Sequence, residues 1–162
     1  FENSKWWYLL FWNLGGSLFF AFYFNKLMSN MLQKRIIKYL STVFVLIYIY
    51  FFINKIHEIP SSPNIIFYIL NSILIVTVVL MYFTEVLKSE KILSIFHSMS
   101  FYIGSTILLW NLIMVPLTFY DVYFNRSDMA FSILKAFIFL GCNTLMYLTF
   151  SFALIWCKPQ NN

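Results

Sequence analysis

The chain has 162 residues, of which 61% are hydrophobic, 22% aromatic and only 10% charged, with a formal net charge of +5 and a mean hydropathy of +0.77. A soluble domain is about 45–50% apolar and about 25% charged, and a chain this short buries only about two-thirds of the surface its unfolded form exposes. The excess of Phe, Leu and Ile has no aqueous interior to fill, which excludes an ordinary soluble domain and predicts an all-α, polytopic transmembrane helix bundle.

Crossing about 30 Å of hydrocarbon takes roughly 20 residues at a rise of about 1.5 Å each, and five stretches approach that length. Their long apolar runs do not alternate apolar with polar, as the strands of a barrel would. The first runs from Trp7 to Phe24, with Trp6, Trp7 and Tyr8 suited to one interface and Tyr23 to the other. It carries Asn13, Gly15, Gly16 and Ser17, small or polar residues that favour helix packing over ligand binding. The second runs from Ile36 to Ile53, with no charge beyond Lys38.

Two prolines in Ile59–Asn64 (IPSSPN) mark a stop, and the third span follows from Ile65 to Thr84, with Tyr68, Asn71, Ser72, Thr77 and Tyr82 along it. Leu87–Met99 is too short for a domain and reads as a short surface helix or, alternatively, a cytoplasmic extension of the fourth span. The fourth span covers Ser98 to Tyr120, where Pro116 removes the bond to the Leu112 carbonyl and predicts a bend or an early finish. The fifth, Ala130 to Cys157, exceeds one hydrocarbon thickness and predicts a tilt or an interfacial first turn. The whole chain is thus expected as a single transmembrane domain. Because it begins at Phe1 rather than Met, further residues are expected upstream.

Seven basic residues (Lys26, Lys34, Arg35, Lys38, Lys88, Lys91 and Lys158) fall on one side of this five-span scheme, against Lys5, Lys55 and Arg126 on the other. Cytoplasmic loops carry the excess of Lys and Arg, so the scheme predicts the N-terminus outside and the C-terminus inside. The same clustering beside hydrophobic spans reads the basic balance as an orientation signal, with no nucleic-acid partner.

The most suggestive polar pattern lies in the fifth span, where Ser132, Lys135, Asn143, Tyr147 and Ser151 fall near one helical face. Such a stripe faces protein or water: it is either a helix interface, with Lys135 snorkelling to the surface, or the rim of an outward-facing pocket. Asp121 and Asp128 are the candidate partners for Lys135. Asn71 and Asn111 are candidate polar partners that, with Asn143, would line a shallow cavity. His57 and His97 are expected on opposite membrane sides and complete no site. Cys142 and Cys157 have neither redox nor zinc spacing and read as packing residues. Asn125-Arg126-Ser127 matches a glycosylation acceptor, a pattern that chance readily supplies. No nucleophile with its base, paired carboxylate, P-loop or metal-ligand set is visible, so no enzyme activity, metal or cofactor is expected.

Phe101–Leu112 (FYIGSTILLWNL) followed by Phe137–Gln160, which closes on Cys157 and Lys158, resembles small uncharacterised multi-span membrane proteins of flavobacteria and relatives. The likeness covers Ile65 to Gln160. It implies a sensor-like module of about seven spans, roughly two of them upstream of Phe1, in a bacterial inner membrane, and it supplies no functional residues. Together these readings predict a non-enzymatic integral membrane protein, either a sensor-like module or an accessory subunit of a membrane complex, in contact with lipids and other membrane chains. The alternative is a transporter or channel component.

Overall fold

The computed structural model describes residues 9–55, 65–89, 95–123 and 129–157; the side chains of residues 9, 10, 12, 51, 52, 54, 55, 65 and 121–123 lie outside that description. The described elements are helical. A π-helical segment, Leu9–Gly15, is followed by α1 (Gly16–Leu27), α2 (Met31–Lys55), α3 (Ile65–Leu87), α4 (Met99–Tyr123) and α5 (Met129–Trp156). The chain divides into two compact units, residues 1–82 and 83–162, with the division inside α3.

In the first unit, Gly15 has helical dihedrals (φ −63°, ψ −47°), so the π segment passes into α1 without a turn. The buried residues Asn13, Ser17, Ala21, Phe24 and Met28 recur every three or four positions and form one face. At Met28 the backbone becomes extended while its N–H still bonds the Phe24 carbonyl at 3.1 Å, which closes α1. Two residues later Asn30 starts α2: its Oδ1 accepts the Leu32 N–H at 2.9 Å and its carbonyl accepts the Lys34 N–H at 3.1 Å. This satisfies a donor that the first helical turn would otherwise leave bare. Asn25 Nδ2 donates to the Lys34 carbonyl at 3.0 Å and ties the two helices across the link.

Aromatic pairs extend this packing to α3. Tyr48 of α2 lies 4.5 Å from Phe67, and Phe24 of α1 lies 5.1 Å from Tyr82, centroid to centroid. Because Ser17 meets Asn71 while the later Phe24 meets the later Tyr82, α1 and α3 run parallel. Tyr48, late in α2, meets Phe67, early in α3, so α2 runs opposite to both.

The second unit is built on an antiparallel α4–α5 hairpin. Tyr102 pairs with Phe152 at 5.6 Å and Tyr120 pairs with Phe131 at 4.8 Å. Those two pairs are eighteen residues apart along α4, about 27 Å at helical rise and close to the thickness of bilayer hydrocarbon. Around Tyr102 the rings continue through Phe101 to Phe83 and Phe96, and from Phe152 to Trp156. The Tyr102 hydroxyl donates to the Phe96 carbonyl at 3.0 Å and so holds the short 3-10 turn at residues 95–97 to α4. Ser100, Ile107, Asn111 and Met114 give α4 its buried line.

The all-α expectation holds, but the five-span count is corrected. Among the described residues, three helices are long and apolar enough to cross a bilayer: Ile66–Leu87, Met99–Tyr120 and Met129–Trp156. The first expected span is divided between a seven-residue π segment and the twelve residues of α1, and twelve residues rise only about 18 Å. The second is the later part of a helix that begins at Met31, whose opening turns carry Gln33, Lys34, Arg35 and Lys38. Those polar turns belong at an interface, not in hydrocarbon. The orientation with the N-terminus outside and the C-terminus inside was counted on five crossings and falls with that count. Pro116 does not end its helix: α4 continues to Tyr123, because one missing bond is cheaper than unwinding backbone among apolar side chains. In Leu87–Met99, Leu87 closes α3, a turn follows at residues 88–89, a 3-10 turn occupies residues 95–97 and Met99 opens α4; residues 90–94 lie outside the description. The chain is a polytopic, largely apolar helical protein, consistent with an integral membrane protein.

Candidate functional site: the open faces of α5

α5 has 28 residues, and only Cys142 and Ala153 are buried. Its span is 6% buried, against 39% for the span in α3 and 22% for that in α4. At 3.6 residues per turn its surface divides into three faces. Phe131, Lys135, Ile138, Cys142, Met146, Thr149 and Ala153 are buried or half-buried and form the seam packed in the hairpin with α4. Roughly a quarter-turn or more away lie Ser132, Ala136, Leu140, Asn143, Tyr147, Ser151 and Leu154, exposed except for the half-buried Asn143. A third face, Leu134, Phe137, Gly141, Thr144, Leu148 and Ile155, is exposed throughout. A Cβ added at Gly141 would meet nothing within 4 Å.

The five residues of the predicted stripe therefore do not share one environment. Lys135 is half-buried on the side of the α4 seam, whereas Ser132, Tyr147 and Ser151 face outward. Asn143 is one turn of helix from the Phe139 carbonyl and donates to it through Nδ2 at 2.9 Å. Asp128 and the side chain of Asp121, the candidate partners of Lys135, lie outside the described residues, as do His57 and the Asn125-Arg126-Ser127 acceptor. His97 is exposed in the 3-10 turn. Cys142 is buried and Cys157 half-buried, both as free thiols. Local burial pushes the Cys157 thiol above its usual pKa.

Asn71 and Asn111 engage other partners. Asn111 is buried and its Nδ2 donates to the Ile107 carbonyl of its own helix at 2.8 Å. Asn71 meets Ser17, whose Oγ also contacts the Asn13 carbonyl. A hydroxyl has one proton to give. That proton goes either to the Asn13 carbonyl or to Asn71 Oδ1, the two acceptors within its reach. Asn13 and Ser17 are almost wholly buried, at 6% and 1% exposure, so this is a sealed link between the π-to-α junction and α3.

Sequence reading named each of these residues but paired Asn71 with other asparagines. The signal available was Ser17 four residues after Asn13, the spacing at which a helical hydroxyl bonds back to a carbonyl. Gly16, read as a packing residue, has open space where a Cβ would sit. Among the described residues no three His, Cys, Asp or Glu side chains gather as metal ligands would. Comparison with protein-family models, with curated proteins and with solved structures finds no match to this chain, so the flavobacterial likeness rests on residue pattern alone.

Proposed function

We propose that the protein is a non-enzymatic membrane subunit whose task is to pack against another membrane chain, with α5 as its docking helix. The observation that supports this is the division of α5 outside its α4 seam. One face is apolar but for Gly141 and Thr144, while the other places Ser132, Tyr147 and Ser151 outward along the length of the helix, with the half-buried Asn143 beside them. Lipid tails offer no hydrogen bond to these groups, and helix interfaces in bilayers use small and hydroxyl- or amide-bearing residues as their polar contacts. The apolar face suits lipid and the polar face suits protein.

Spin labels at Tyr147→Cys and Ser151→Cys, compared with Leu148→Cys and Ile155→Cys in native membranes, test the reading through collision with dissolved oxygen. Shielding of the first pair relative to the second is expected; equal access on both faces would sink the docking role. The transporter or channel alternative draws on a different observation, the π-helical interruption beside the buried Asn13 and Ser17, since broken helices line many transport sites. It requires Ser17→Ala to abolish a solute flux, whereas the docking role leaves flux out of account.

A further inference from the structure

On α2, apart from the helix assigned to docking, we infer that an exposed face binds one anionic phospholipid, its phosphate held by Arg35 and Lys38 and an acyl chain laid along Leu46 and Ile49. Ile37, Phe44 and Tyr48 are buried and mark the side of α2 that packs within the first unit. Arg35 and Leu46 lie about half a turn round from that side, with Lys38 and Ile49 beside them, and all four are exposed. Lys38 and Ile49 fall almost on one line down the helix.

Charge selects the headgroup. The described residues of the first unit include Lys26, Lys34, Arg35 and Lys38 but no Asp or Glu. The bond from Asn25 to the Lys34 carbonyl keeps neighbouring Lys26 level with the opening turns of α2, so positive charge gathers at one end of the α1–α2 pair. A guanidinium offers two parallel N–H groups to a phosphate, and the Lys38 ammonium, three residues on, adds a second charge on the adjoining turn. The exposed Tyr39, four residues after Arg35, brings a hydroxyl donor to the same level. Apolar surface then selects a lipid among the phosphates and acidic groups that cations attract. The Thr42 hydroxyl is committed to the Lys38 carbonyl at 2.9 Å, and beyond it the face turns apolar at Leu46 and Ile49. Lys38 and Ile49 are eleven residues apart, about 16 Å at helical rise, close to one leaflet's half of about 30 Å of hydrocarbon. Free phosphate would leave the apolar residues bare and an acidic protein would meet only the cations, whereas a phospholipid covers both.

The test is native mass spectrometry of the full chain, released from mixed micelles that hold phosphatidylglycerol and phosphatidylcholine in equal amount. One phosphatidylglycerol per chain should be retained, about tenfold over phosphatidylcholine. Arg35→Gln with Lys38→Gln should lower that retention about ten- to thirtyfold. Lys88→Gln with Lys158→Gln removes the same charge elsewhere and should leave it within about twofold. Arg35→Lys, which keeps the charge, should retain most of the binding, and Leu46→Ser with Ile49→Ser should lower it about fivefold.

Competition on the unaltered chain separates the other occupants. Inorganic phosphate and an oligoglutamate, each supplied at the same charge concentration as the lipid, should displace little of it. Displacement by phosphate at that concentration would show that the apolar residues contribute nothing, and displacement by oligoglutamate would give the cations to an acidic protein; either overturns the inference. Equal retention of the two lipids, or equal loss in the Lys88 and Lys158 variant, reduces the cluster to general surface charge and overturns it too. None of these results bears on the docking role of α5.

Discussion

Residues 1–82 and residues 83–162 are held together by different chemistry. In the first unit buried and half-buried polar groups cross between helices: Ser17 with Asn71, and Asn25 with the Lys34 carbonyl. Aromatic rings at Phe24–Tyr82 and Tyr48–Phe67 fill the space beside them. In the second unit the α4–α5 hairpin is clasped by rings near its two ends, and the buried Asn111 turns back on its own helix. Apolar contacts between helices gain little over apolar contacts with lipid tails, whereas a hydrogen bond in hydrocarbon has no lipid substitute. The first unit therefore joins its helices through polar contacts as well as rings, and the second leaves the Ser132, Tyr147 and Ser151 hydroxyls of α5 facing outward.

Several substitutions would break or sharpen this contrast. Phe24→Ala should have the largest effect. Phe24 is fully buried against Tyr82, and its loss should destabilise the first unit by about 3 kcal/mol, read as a lower midpoint of thermal unfolding in detergent. Ala153→Leu comes next: Ala153 has no exposed surface, and the added volume should force α5 from its neighbours at a cost of about 2 kcal/mol. Distance measurement between labels on α4 and α5 would register the separation, and an unchanged distance would show that the seam is looser than drawn.

Ser17→Ala should cost about 1 kcal/mol and loosen the α1–α3 link, seen as faster hydrogen exchange around Asn71, without altering the hairpin of the second unit. Asn30→Ala removes the cap of α2 at a similar or slightly smaller cost. Gly16→Ala should do the reverse and add about 0.5 kcal/mol or more, because the position is helical and a methyl group meets nothing. At the end of α5, a raised thiol pKa leaves less Cys157 thiolate at neutral pH than an ordinary thiol has. Maleimide labelling there should be slower than at an ordinary exposed thiol near neutral pH and should accelerate as pH rises.

The third to fifth expected spans were legible because apolar composition, turn residues and flanking charge agree: residues 65–84, 98–120 and 130–157 correspond to Ile65–Leu87, Met99–Tyr123 and Met129–Trp156. The second was read too late in the chain, since hydropathy reports what tolerates lipid while Asn30 reports where the helix starts. The first was read as uniform because nothing in Leu9–Gly15 marks a change of helical pitch; that depends on how Asn13 and Ser17 pack. The α5 stripe was visible from spacing alone, but spacing gives relative angles and not the direction of α4. Hence Lys135 was grouped with residues that face another way.

Only Met28, Ser29 and Asn30 separate α1 from α2, and those three positions also close one helix and open the next. There is no slack there for inserted sequence. An epitope or a protease site placed in this turn would have to displace the Asn30 cap and part Asn25 from the Lys34 carbonyl, so it would report on a damaged molecule. Mapping which membrane surface this turn occupies therefore calls for substitution of single residues in place of insertion.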